Sequence, residues 1–433
     1  MKVLNTLEIN KEAVVSYAAM HCGLTQEMVN TYKNYPTREE MSKQLSDINL
    51  GYIPEKNKHY DWYKLQRRKT KDLEKYWLAC KLSNNLGDIS KVDSLPYADL
   101  WTCSFPCTDI SIAGKMKGLS PDDKTRSSLL WENIRLLKRA KEDNILPKYI
   151  MFENVKNLVG KKFIDNFNQL LNILDKLGFN SYWKVINAKD CGVPQNRDRV
   201  FVICIRKDID NGTYAFPKPF DAGIRLKDIL DKNVDERYYL SEEDRGVSNQ
   251  KSGGTAILEV TNRCIQAGSL HGGKWDKIYE SARRYYDTEG VSPTIHTCNG
   301  GNTETKIKIN DDLTNKPICL NSKGGRNGIE HLQPSVQNRV YDSIGISTAI
   351  TSTYMPNFTD KMKIRKLTPN ECFKLMGLHD DDCNKSKSIG ISDSQLYKQA
   401  GNGIVTNCVE LLFEHLYKSQ YDNNYECFDE KYN

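Results

Sequence analysis

The sequence predicts an α/β protein, a doubly wound domain joined to a smaller β-rich domain. Three observations carry this. From about residue 85 to 208, short apolar runs alternate with amphipathic helical periods, the pattern of strands laid side by side with helices across them. From about 209 to 363, glycine, serine, threonine and asparagine dominate and helical periodicity fades. Within that stretch Arg284-Tyr-Tyr286-Asp287-x-x-Gly290-x-Ser292-x-x-Ile295-x-Thr297 recurs as Arg339-x-Tyr341-Asp342-x-x-Gly345-x-Ser347-x-x-Ile350-x-Ser352, which predicts a duplicated strand–turn–strand element.

The 433 residues suffice for one large and one smaller domain. With 39% hydrophobic and 27% charged residues, the chain is globular rather than disordered. No run approaches the roughly 18 apolar residues of a membrane span, and no signal peptide opens it, so the expectation is a cytoplasmic protein without a membrane. A net charge of +6 permits a polyanionic partner without demanding one. The 13 cysteines form no paired CxxC knuckles, which argues against a disulfide framework or a metal site and for a reducing compartment.

Taken in order, Val3 to Ile9 reads as a strand and Lys11 to His21 as a helix. Glu8 is an acid at a strand end, where nucleotide-type folds bind ribose hydroxyls, and equally a solvated surface glutamate. Residues 26–85 are a polar insertion with basic and aromatic groups, Tyr60-Asp-Trp-Tyr63 and Arg67-Arg68-Lys69 among them. It reads as a solvated excursion, or as a nucleic-acid contact, with helix expected over Leu73 to Leu82. Gly87-Asp88-Ile89 follows, then an apolar run from Tyr97 to Cys103 that delivers Pro106-Cys107 at a strand end. Cys107 is a structural cysteine or a nucleophile. A glycine-, lysine- and aspartate-rich loop occupies 112–126, and a helix from Arg126 to Glu142 includes Leu129. The strand Tyr149 to Phe152 delivers Glu153, and a helix from Phe163 to Leu177 ends at Gly178. Tyr182 to Asn187 and Arg199 to Ile205 are strands flanking Gln195-Asn-Arg197-Asp-Arg199. Beyond 363, Arg365 to Leu378 reads as extended chain and then a helix opened by Thr368-Pro369. Gln399-Ala-Gly-Asn402-Gly-Ile404 leads into a last helix, Val405 to Leu416.

A cysteine, a carboxylate and paired arginines at the ends of successive strands make one constellation. Together with Arg365-Lys-Leu-Thr368 through Met376-Gly377 and the Gln399–Gly403 run, it resembles the DNA cytosine-5 methyltransferases of prokaryotic and phage restriction-modification systems. The resemblance covers most of 1–208 and 364–433. It implies a Rossmann-like methyltransferase domain over 1–208, a target-recognition domain over 209–363, and a C-terminal segment 364–433 returning to the first domain. It implies S-adenosylmethionine as cofactor, held by Glu8, Ile9, Asp88, Ile89, Pro106, Leu129, Asn402 and Ile404. In that scheme Cys107 is the nucleophile, Glu153 hydrogen-bonds the base, and Arg199 with Arg197 holds its O2 oxygen. The partners implied are double-stranded DNA and a cognate restriction endonuclease, for a monomeric enzyme. Loops such as Asn299-Gly-Gly-Asn302 and Lys323-Gly-Gly-Arg326-Asn327 suit contacts to phosphates and base edges.

One departure bears on the cofactor. The family opens with a strand and a glycine-rich loop, whereas this chain has no glycine before Gly23. The expectation is that the loop is lacking, through an internal start, a deletion or a second polypeptide. The rival functions are accordingly a truncated or split subunit that binds DNA, and an RNA cytosine or tRNA methyltransferase.

Overall fold

The computed structural model describes residues 2–53, 58–68, 70–106, 129–240, 247–250, 262–297, 303–309, 340–342, 357–359, 363–422 and 425. They divide into two compact units, one of residues 1–224, 293–299 and 369–433, the other of 225–292 and 300–368. The first border lies 16 residues beyond the compositional one at 209 and the second five beyond that at 363, and residues 293–299 go with the first unit.

The first unit is built on a four-stranded sheet in the order β1-β2-β4-β3, with β1 Leu100–Ser104, β2 Tyr149–Val155, β3 Phe179–Asn187 and β4 Asp198–Arg206. β1 runs parallel to β2, and β4 runs antiparallel to both β2 and β3. Tyr149 to Asn154 are all buried, as a near-continuous apolar run demands when both faces of a strand are covered.

Among the described residues, seven helices belong to the N-terminal part of this unit: α1 Lys11–His21, α2 Gln26–Thr31, α3 Arg38–Asp47, α4 Trp62–Arg68, α5 Thr70–Ser83, α6 Leu130–Glu142 and α7 Ile164–Leu177. Phe167, Leu170 and Leu174 of α7 join Leu130, Ile134 and Leu137 of α6 on the face of the sheet that carries Cys103, Ile150, Phe152 and Val202. Each such side chain contributes about 1.5–3 kcal/mol by its burial. Gly178 ends α7 with φ 106°, the left-handed conformation that a Cβ disfavours.

The insertion is no solvated excursion. Thr37 and Glu40 form a reciprocal capping box that starts α3, and Met41, Leu45, Trp62, Leu73 and Leu78 are buried. Trp62 donates its indole N–H to the Leu50 carbonyl at 2.9 Å, and Trp77 donates to Gln44 Oε1 at 2.6 Å. Trp62 and Trp77 thus hold the helices together, while Tyr63 of the same insertion is exposed.

Val3 to Ile9 is not a strand. Among the described residues it forms one isolated bridge, Thr6 to Asn85, and no continuous ladder. Among the described residues, four more helices of this unit follow, Pro369–Leu375, Asp380–Ser388, Asp393–Asn402 and Thr406–Tyr421.

The second unit holds a five-stranded sheet in the order β11-β8-β7-β6-β5, comprising β5 Val247–Gln250, β6 Gln266–His271, β7 Arg284–Tyr286, β8 Lys306–Ile309 and β11 Lys363–Lys366. Leu240, Leu270, Trp275, Tyr285 and Ile364 form its small core. Arg365 therefore lies in a strand of this unit, paired with Ile307, rather than in the segment expected to return to the first. The first copy of the repeat supplies β7. Of the second copy only β9 Val340–Asp342, parallel to β10 Asn357–Thr359, falls among the described residues. The loops 299–302 and 323–327 lie outside them.

Candidate active site

The strand register brings two of the expected residues together. Glu153 on β2 stands opposite Phe201 of β4, and Arg199 lies two residues before Phe201, on the same face as Glu153. Their side chains pair at 3.0 Å between Arg199 Nε and Glu153 Oε1. Both are largely buried, with side chains 16% and 10% exposed, so the pair is little screened by solvent. Burial pushes the Glu153 carboxyl above its ordinary value, while Arg199 and then Arg197 oppose that shift.

β1 ends beside this pair, since Ser104 is in register with Glu153. The neighbouring Asn154, itself buried, donates its side-chain amide to the Phe105 carbonyl at 3.0 Å. Asn154 thus fixes the chain where it enters Pro106. Cys107 and the loop 112–126 lie outside the described residues.

Arg197 has a different place from the one expected. Its guanidinium donates to the carbonyls of Gly401 and Gly403, at 2.9 Å each, and of Ile295 at 3.4 Å. It is buried and committed to backbone, holding the Gly401–Gly403 turn rather than presenting itself to a base. Gln195, fully buried, donates to the Leu375 carbonyl at 2.7 Å and accepts from the Ile295 N–H at 3.4 Å. The Gln195–Arg199 run therefore faces two ways, with Gln195 and Arg197 knitting the unit together and Arg199 turned to Glu153. His296 sits by the same cations, and burial followed by Arg197 and Arg199 lowers its imidazole below the usual value.

A second group gathers Glu8, Ile9 and Asp88. Buried Asn85 accepts from the Glu8 N–H at 3.0 Å and donates to the Glu8 carbonyl at 2.9 Å. Glu8 Oε1 accepts from the Asn10 N–H at 2.6 Å. Burial raises the Glu8 carboxyl, opposed by the Asn10 and Ile9 backbone and by Lys398, one turn before Asn402. The Asp88 carboxylate caps the short turn Ile89–Lys91 by accepting from Ser90. Ile89 packs against the core that contains Phe105 and Leu130. Pro106, Leu129 and Ile404 are half-buried, and Asn402 is exposed at the end of its helix.

Asn85 is a residue that sequence reasoning passed over, although an asparagine just before Leu-Gly-Asp is a turn signal. Asn85→Ala is expected to destabilise the protein by about 1–3 kcal/mol, because it leaves a buried backbone donor and acceptor unpaired. A lowered urea midpoint with an unchanged slope is the measurement that checks it.

Among the described residues, no helix is long and apolar enough to cross a membrane. Residues 27–418 match the family model described as C-5 cytosine-specific DNA methylase. The chain is 33% identical over 423 residues to Type II methyltransferase M2.ScrFI of Lactococcus lactis subsp. cremoris, covering 97% of this chain and 93% of that relative. It is 29% identical to Orphan methyltransferase M.SPBetaI of Bacillus phage SPbeta, over 80% of this chain and 90% of the relative. With Type II methyltransferase M.HhaI of Haemophilus parahaemolyticus it shares 28% identity, over 75% and 78% respectively. A carboxylate–arginine pair at the carboxyl end of β2, in a chain matched along nine-tenths of its length, has one family to go to: the protein belongs to the C-5 cytosine-specific DNA methylases.

Proposed function

We propose that this chain transfers a methyl group from S-adenosylmethionine to C5 of cytosine in a specific duplex DNA sequence, with Cys107 as nucleophile. The observation that carries the reading is the buried Arg199–Glu153 pair beside the end of β1. Cytosine C5 is a weak nucleophile. Addition of the Cys107 thiolate to C6 makes the ring an enamine whose C5 attacks the methyl, and loss of the C5 proton then expels the thiolate.

Glu153 is suited to the base at N3 and its amino group, because burial favours the carboxyl form that can share a proton. Arg199 is suited to O2, where it offsets charge that grows on the ring. Arg197 is assigned the holding of the Gly401–Gly403 turn. Since the target lies within a duplex, it must leave the stack to reach this pair.

The residues present fit the adenosine end of the cofactor. A half-buried carboxyl at Glu8, held by the Asn10 N–H, suits the hydroxyl donors that a ribose supplies, and Ile9 offers an apolar neighbour for a purine. Asp88 would accept from the adenine amino group, with Ile89, Pro106, Leu129, Asn402 and Ile404 lining the remainder. The cofactor supplies an activated methyl. The second unit, with its repeat, is proposed to read the DNA sequence, and a cognate endonuclease is proposed on the strength of the type II relatives. The cytoplasm is the proposed compartment, where such DNA is reached.

Cytosine-resolved sequencing of unmethylated DNA incubated with the purified chain and S-adenosylmethionine tests this. Methylation confined to cytosines in one sequence context is expected. Unmodified DNA alongside methylated tRNA would move the substrate to RNA, and no transfer to either would refute activity of this chain.

A further inference from the structure

We propose that Asn49, in the 26–85 insertion, is a positioning residue that orients the Asp88 carboxylate so that its one remaining acceptor position selects a ligand amino group. The inference rests on the assignment of Glu8 and Asp88 to the adenosine end of the cofactor. It concerns a residue outside every motif quoted above.

The turn that follows α3 runs between the two arms of that group. Gly51 donates its N–H to the Ile9 carbonyl at 2.6 Å, and Asp88 donates its N–H to the Ile48 carbonyl at 3.0 Å. Gly87 crosses this turn so closely that a Cβ there would stand 2.1 Å from the Ile48 oxygen, and its φ is +74°. Asn49 itself is left-handed, with φ 55°, a conformation asparagine tolerates better than most side chains. That geometry aims its amide at Asp88: Nδ2 donates to Asp88 Oδ2 at 2.8 Å.

A carboxylate has about four acceptor positions. At Asp88, Oδ1 takes the N–H and hydroxyl of Ser90, at 3.0 and 2.8 Å, and Oδ2 takes Asn49. Among the described residues three positions are filled, and one on Oδ2 is left. Because both oxygens are tied, the carboxylate plane cannot rotate to suit a different donor. A ring amino group can fill the last position, whereas a ring carbonyl there meets like charge. The insertion thus serves as a clamp across Ile9 and Asp88 that turns a general acceptor into a selective one.

The test is calorimetric binding of two probes to the full chain, S-adenosylhomocysteine and S-inosylhomocysteine, which differ in an amino group against a carbonyl. The wild type is expected to prefer the amino probe by at least about tenfold, the scale of one hydrogen bond exchanged for a repulsion. Asn49→Gly removes the amide while keeping the left-handed backbone free of strain. It is expected to cut that preference to below about threefold and to leave affinity for the inosyl probe unchanged. Asn49→Asp, of the same shape but opposing two carboxylates, is expected to lose the preference as well. Equal weakening of both probes in either variant would overturn the proposal, since a merely structural role predicts that outcome. Wild-type binding to neither probe would instead overturn the adenosine assignment on which the proposal stands.

Discussion

Cys107→Ser is expected to lower methyl transfer on the order of ten-thousand-fold or more, while the unfolding free energy from urea titration stays within about 0.5 kcal/mol of wild type. A hydroxyl in place of the thiol is a far weaker nucleophile at neutral pH, so C6 is not attacked and C5 gains no enamine character. Losing a covalent nucleophile removes a whole pathway rather than one contact, which is why the drop is so much larger than for a binding residue. The clean measurement uses duplex DNA with 5-fluorocytosine at the target. Fluorine at C5 cannot leave as a proton does, so wild type should accumulate an adduct that survives denaturing electrophoresis, and the serine variant should give none. An adduct in the variant would move the nucleophile to another cysteine.

The second large effect is expected at the buried pair. Glu153→Gln keeps the shape of the side chain but cannot share a proton with the ring, and it leaves Arg199 without its carboxylate. We expect the single-turnover rate to fall on the order of 100- to 1,000-fold, the scale of removing one preorganised group at a developing charge. The pH profile separates this from mere disruption. Burial raises the Glu153 carboxyl, so its useful protonated form is full at low pH and is lost as pH rises through the folded value. Wild type should therefore show an alkaline fall in rate that the glutamine variant lacks. A variant that retains the same alkaline limb would assign it to another group.

What the sequence revealed and what it hid separate along physical lines. The helix Lys11–His21 appears with the bounds its periodicity implies, and α7 stops where Gly178 says it must. Such elements are legible because caps and apolar stripes are local. The Glu153–Arg199 pair could be anticipated as a constellation, since both residues lie on adjacent strands whose register follows from their apolar runs. Val3–Ile9 misled because a short strand-like run says nothing of a partner strand, and among the described residues only Thr6 forms a β-bridge. Arg197 misled for a kindred reason. Its carbonyl partners lie 98 to 206 residues away and carry no side-chain signal at all. Asn49 and Asn85 were invisible on the same grounds, each being a small amide whose meaning comes from a segment more than 35 positions off.

The commitments of Arg197 also set an order of events during synthesis. Gly401 and Gly403 follow it by 204 and 206 residues. At about 5–20 residues per second, the arginine leaves the ribosome roughly 10–40 s before those two acceptors exist. Strands β1 to β4 are complete in that interval, while the guanidinium still lacks the two carbonyls of the Gly401–Gly403 turn. A ribosome that halts before the Gly401–Gly403 turn therefore leaves a chain whose strands are made but whose Arg197 lacks these two acceptors.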